Sequence, residues 1–148
     1  YGPQIAMTLH GTRKDDGDVV WTQVDSRATV ILRGIWGSSA SDVWTVGGNG
    51  TIRHFGPNAS AWAIVDAPTR ANLNAVWGSG PNDIWVVGDY GTILHWDGKT
   101  WTESDAAFPA RKAKPHLYGI WGSGPDDIWI VGNYIALHHG PRQTGGAK

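Results

Sequence analysis

The sequence predicts an all-β fold, a β-propeller built of four-stranded antiparallel blades, with about three blades in this chain. Three observations predict it. One segment recurs three times at propeller spacing; each recurrence divides into four short apolar runs at glycine-containing turns; and 21 Gly and 10 Trp in 148 residues supply tight turns and large apolar surface at few positions.

The recurring segments are Leu32 to Gly47 (LRGIWGSSASDVWTVG), Leu73 to Gly88 (LNAVWGSGPNDIWVVG) and Leu117 to Gly132 (LYGIWGSGPDDIWIVG). Trp36, Trp77 and Trp121 recur after 41 and then 44 residues, and Trp44, Trp85 and Trp129 keep the same steps. Each segment holds two runs, A (LxxIWGS) and B (DIWVVG). A turn such as GGNG or GDYG leads to run C (TIRHF, TILHW, IALHH), and run D starts at Trp62 or Trp101. Apolar residues at successive positions within B and C suit sheets covered on both faces, as in stacked blades. No segment carries a sustained helical stripe, so helix content should be near nil. A β-solenoid or an open β-array is the alternative fold; the propeller is preferred because solenoid repeats are usually shorter and carry one or two strands.

Residues 5–10 (IAMTLH) resemble a run C, and Val19 to Asp25 a run D. The chain therefore reads C-D, A-B-C-D, A-B-C-D, A-B-C. This divides it into a split blade at 1–28, blades at 29–68 and 69–110, a second split blade at 111–140, and a tail at 141–148. Four to eight blades normally close a ring, so three would leave Trp-bearing faces and strand edges open. Two solutions are expected: a homodimer forming a six-bladed ring, or the remainder of a larger propeller.

A net charge of −1, from 12 Lys+Arg against 13 Asp+Glu, argues against nucleic acid as a partner. No window approaches the roughly 18 apolar residues of a membrane span, and no membrane insertion is expected. With no Cys, neither disulfides nor thiolate metal sites arise. GxSxG, P-loop and HExxH motifs are absent, and no cofactor or metal is expected.

The unit IWGSGPNDIWVVG, followed by GTILHWDGKTW, resembles the Trp-rich propeller repeats of large bacterial surface proteins. Its C–D turn, Asp97-Gly98-Lys99-Thr100-Trp101, is similar to a degenerate Asp-box of sialidase-type propellers. The resemblance covers residues 20–139 and implies a recognition module at the cell surface or outside the cell. In that family the Asp-box is a structural turn, so no catalysis is implied.

Residues present in every blade read first as structure. The repeated Trp residues should fill the space between blades, and Asp42, Asp83 and Asp127 should accept backbone N–H bonds in the A–B turn. His54, His95 and His138 should bond within their blades rather than converge on a metal.

Function should lie where the repeats differ. The B–C turns Gly48-Asn49, Asp89-Tyr90 and Asn133-Tyr134 share one rim with the D–A connections Asp66 to Asn72 and Asp105 to His116. Asn49, Asp89, Tyr90, Asn133, Tyr134 and His116 are thus candidate ligand residues for a glycan or a protein, although Asn and Asp also suit turns with positive φ. Trp96 and Trp62, less regularly repeated, are candidates for stacking on a sugar. Arg111, Lys112 and Lys114 form a basic loop that could meet an acidic group. The leading expectation is non-catalytic recognition of carbohydrate or protein through one rim. Alternatives are a glycosidase or lyase using Asp66, Asp89 or Asp105 at the axis, and a purely structural assembly subunit.

Overall fold

The computed structural model describes residues 4–109 and 113–141. Arg111, Lys112 and most of the 141–148 tail lie outside the described residues. The strands are β1 (Ala6–Arg13), β2 (Val19–Ala28), β3 (Leu32–Ser39), β4 (Asp42–Gly47), β5 (Thr51–Phe55), β6 (Ala63–Val65) and β7 (Leu73–Gly80). They continue as β8 (Asp83–Gly88), β9 (Ile93–Trp96), β10 (Trp101–Glu103), β11 (Leu117–Gly124), β12 (Asp127–Gly132) and β13 (Ile135–His139).

Four antiparallel sheets result: β1-β2, β3-β4-β5-β6, β7-β8-β9-β10 and β11-β12-β13. This is the expected order C-D, A-B-C-D, A-B-C-D, A-B-C. The four-stranded sheets are called the first and second blades below. Helix among the described residues is limited to two single 3₁₀ turns, Gly48–Gly50 and Asp89–Gly91, both in B–C connections.

The A strands lie side by side, β3 against β7 and β7 against β11, and the sheets fan outward from them. Trp44, Val46 and Ile52 of the first blade form one buried cluster with Leu73, Val76, Ile84, Val86, Leu94 and Trp101 of the second. Val87 and Ile93 of the second blade meet Leu117 and Ile130 of the third sheet in another. Each aliphatic side chain so buried contributes about 1.5–3 kcal/mol, and this stacking, not any single sheet, forms the core.

The repeated Trp of strand A packs on the glycine that follows the equivalent Trp in the next sheet. A Cβ on Gly78 would stand 2.7 Å from Trp36 Cη2, and one on Gly122 2.6 Å from Trp77 Cη2. Trp121 is exposed, since no further sheet lies against it among the described residues. Trp62 is buried, with its ring centroid 5.5 Å from Phe55 and its indole N–H donating to Thr8 Oγ1 at 3.1 Å. The expectation that it could stack on a sugar is therefore corrected: packing against β1 has removed its face from solvent.

Each blade carries one repeated polar cluster. Asp42 accepts from Ser38 Oγ, Trp44 Nε1 and His54 Nε2–H, the last at 2.7 Å. Asp83 accepts from Ser79, Trp85 and His95 in the same way, and Asp127 from Ser123, Trp129 and His138. Each imidazole also stacks on the indole of its cluster, at 4.0 to 4.1 Å between centroids. The histidines bond within their blades as expected. The aspartates, in contrast, are gripped by side-chain donors rather than by the turn backbone, because the sheet brings strand C beside strand B. Serine and histidine both bond the same carboxylate and not each other, so the serine–histidine bond of a hydrolase triad is not assembled.

Burial pushes the Asp42 and Asp83 carboxyls up, but the hydrogen bonds outweigh it and hold both below the usual carboxylate range. At Asp127 the Ser123 and His138 bonds dominate, with the same result. A pKa depressed by folding stabilises above the unfolded value of about 4 and ceases to do so as pH falls through the folded value. The melting temperature is therefore expected to fall as pH drops below about 4. Asp83→Asn should flatten that dependence, and an unchanged acid slope in the variant would show that these clusters do not govern acid stability.

Candidate functional site

The rim holding the B–C and D–A connections is built by close backbone crossings. Asp89 N donates to Asn72 O at 2.9 Å, Gly91 N to Pro115 O at 2.7 Å, and Asn133 N to His116 O at 2.9 Å. Each D–A connection thereby lies across a B–C turn, and the loops of adjacent sheets meet.

At the centre of the meeting is Asp89. Its Oδ1 accepts from Asn74 Nδ2 at 2.9 Å and stands 3.0 Å from His116 Nδ1, and its Oδ2 accepts from Asn72 Nδ2 at 2.9 Å. Burial raises its pKa, but the bonds from Asn74, Asn72 and His116 prevail and hold the carboxyl below its usual range. Asp89 is thus an ionised anchor that fixes its neighbours.

Asn74 extends the network to both sides. It donates also to Leu117 O at 2.8 Å, and its Oδ1 accepts from Arg33 Nη1 at 3.0 Å. The first blade, the second blade and the third sheet are thereby tied in one polar chain near the A strands. On the outside stand aromatic rings: Tyr90 lies 4.8 Å from His116 between centroids, and His116 lies 6.4 Å from Tyr118 in a stacked arrangement. Tyr90 is 68% and Tyr118 52% exposed.

Tyr90 has φ 56°, Tyr134 φ 55° and Asn49 φ 53°, so the equivalent position of all three B–C turns is left-handed. Asn tolerates this conformation, whereas Tyr pays roughly 1 kcal/mol for it. The sequence reading assigned positive φ to Asn and Asp residues; Asn49 fits, but at Asp89-Tyr90 it is the tyrosine that adopts it. Tyr90→Asn is expected to raise stability by about 0.5–1 kcal/mol in urea unfolding. A loss of stability would show that the contact with His116 outweighs the backbone strain.

Among the candidates, the structure brings together Asp89, Tyr90 and His116. Asn49 joins them indirectly, its backbone N–H donating to Asn72 Oδ1 at 3.2 Å. Asn133 and Tyr134 occupy the corresponding turn of the third sheet, where Tyr134 is exposed. Trp96 lies at the other end of its sheet, paired with Ile84, with Trp44 and Trp101 centroids 5.3 and 5.6 Å away. Of the basic loop, Lys114 Nζ sits 5.9 Å from the centre of the Phe108 ring. Asp105 lines a cleft between the second blade and the third sheet. Sequence reasoning missed Arg33, Asn74 and Tyr118. The signal was available: they fill the first variable position of LxxIW, where otherwise matched repeats differ in charge and shape.

The described residues contain no group of three or more His, Asp or Glu side chains placed to hold a metal ion. No helix among them is long and apolar enough to cross a membrane.

No family model matches the chain, and no curated protein matches it closely enough to be informative. Solved structures do match. One is YCF48 bound to D1 peptide, with a TM-score of 0.69 and 20% identity over 94% of this chain and 46% of that one. The chain is folded like YCF48, a β-propeller protein. A second is YCF48 from Cyanidioschyzon merolae, with a TM-score of 0.66 and 17% identity over 95% of this chain and 52% of that one. The chain thus spans about half the length of the YCF48 structures it matches. At such identities the likeness to YCF48 establishes the fold.

Proposed function

We propose that this chain is a protein-binding propeller module whose rim, between the second blade and the third sheet, receives an extended peptide segment of a partner protein. The observation that carries this reading is the set of exposed Tyr90, Tyr118 and Arg33 around half-buried His116, tied to the Asp89 and Asn74 network. Tyr and Arg are the side chains that dominate protein interfaces, and a preformed array lowers the ordering cost of binding. The bond from Arg33 to Asn74 fixes a guanidinium on the same polar network that holds His116 through Asp89, suited to a peptide carboxylate. The YCF48 structure with a D1 peptide supports peptide recognition by this fold. The turn closed by Asp97 Oδ1, which accepts from Lys99 N and Thr100 N at 2.8 Å, supports kinship with Asp-box repeats.

Selection from a random peptide display library against the immobilised chain tests the reading. Selected peptides should carry an acidic group and lose about thirtyfold in affinity with Tyr118→Ala, the size of an interface hot spot. Lys99→Ala, at the opposite end of the sheet, should change affinity by less than about twofold. If instead a glycan array yields a ligand sensitive to Tyr118→Ala and no peptide is selected, the rim is a sugar site.

A further inference from the structure

Between the first and second blades, on the rim that carries the A–B and C–D turns, lies an open groove of about 310 Å³. The first blade supplies the Asp42 cluster and Pro57, and the second supplies Pro81, Asn82 and Trp96. Both walls belong to complete four-stranded sheets, so the groove is set by two blades stacked within the chain.

Its polar groups are only partly engaged. Asp42 Oδ1 accepts two bonds, from Trp44 Nε1 and His54 Nε2–H, whereas Oδ2 accepts one, from Ser38. A carboxylate oxygen has room for about two, so Oδ2 can receive a further hydroxyl. His54, with its proton toward Asp42, leaves Nδ1 as an acceptor. Neither the Asn82 amide nor the Trp96 indole N–H makes a hydrogen bond among the described residues. Asn82 is placed by packing instead: Gly98 has φ 93°, and a Cβ there would stand 2.7 Å from Asn82 Oδ1.

The apolar walls narrow the ligand class. Trp44 is closed off, but Trp96 is only half-buried, and Pro57 and Pro81 are exposed. No Lys or Arg lines the groove, and Asp42 is held ionised, so a phosphate or carboxylate would find repulsion and no counter-charge. The next pair of sheets has Gly98, Asp126 and His139 at the positions of Pro57, Asn82 and Trp96. The cluster thus repeats while its surroundings differ, and specificity on a repeated scaffold lies in such differences.

We propose that this groove binds one pyranose residue of a neutral glycan, with Trp96 against its C–H face and Asn82, His54 and Asp42 Oδ2 bonding its hydroxyls. A ring hydroxyl both donates and accepts, which matches donors at Asn82 and Trp96 set beside acceptors at Asp42 and His54. The indole supplies the flat apolar surface that the opposite side of the sugar needs. The volume lies at the small end of ligand sites and holds a single sugar residue.

The test is saturation-transfer NMR of the intact chain with the methyl glycosides of glucose, galactose, mannose and N-acetylglucosamine, followed by titration of those that respond. Saturable millimolar binding of at least one is expected. Asn82→Ala, an exposed position, should weaken it about tenfold at an unchanged melting temperature, and Trp96→Phe should weaken it as well. No transfer to any of the four, or affinity unchanged in both variants, overturns the proposal. Binding of choline with no response to the glycosides also overturns it, because the groove would then hold an alkylammonium against Asp42. The Tyr90 and Tyr118 rim contributes no residue to this groove, so the two sites stand or fall separately.

Discussion

Gly88→Ala is expected to destabilise the protein by about 3 kcal/mol or more, while Gly80→Ala leaves stability within about 0.5 kcal/mol. The backbone of Gly88 is extended, with φ −159°, which any residue adopts, so conformational freedom is not what the position needs. It needs space. A Cβ there would lie 2.1 Å from the carbonyl oxygen of Asn72 and 3.2 Å from Leu73 Cα, and both obstacles are backbone that no rotamer change can move. Gly47 and Gly132 are crossed in the same way, by Ile31 O at 2.3 Å and His116 O at 2.2 Å. A Cβ on Gly80 meets nothing within 4 Å. The crossing at Gly88 is also what sets Asn72 against Asp89, so the variant should lose rim binding along with stability. Urea unfolding of the two variants checks the prediction, and equal small effects would mean that the loops part without cost.

Trp44→Ala is expected to cost about 3–5 kcal/mol and Trp129→Ala less than about 1.5 kcal/mol, although the two occupy the same place in the repeat. Trp44 is 3% exposed, stacked on His54 and covered by Trp96 and Trp101 from the next blade. Truncating it would leave a cavity walled by two further indoles. Trp129 keeps its histidine partner, with the centroid of His138 4.1 Å away, but is 43% exposed. If both variants were equally destabilised, the cluster inside each sheet would outweigh the contact between sheets as the source of stability.

The strand order was legible because the repeat aligns itself. Trp21 precedes Trp36 as Trp62 precedes Trp77, and this spacing alone places β1 and β2 as a C-D pair. The buried state of Trp62 was not legible, because it depends on β1 arriving from another sheet. Nor was the true bonding of Asp42. Its proximity to Ser38 in sequence suggests a turn, but His54 reaches it only through the pairing of β4 with β5.

The rim shows the same division. The sequence marks Asp89, Tyr90 and His116 as places where the repeats differ, and the structure does bring them together. It could not reveal that Asp89 is occupied by neighbouring side chains, or that Arg33, Asn74 and Tyr118 complete the surface.

The sequence by itself determined the architecture, since the period, the turn glycines and the spacing of Trp are local facts that allow few strand arrangements. Tertiary structure alone decided which Trp are core and which are open, and which polar groups are anchors and which face a partner. Those properties depend on what an adjacent sheet places within a few ångströms, and a residue repeated in every sheet meets different neighbours in different sheets of the described structure.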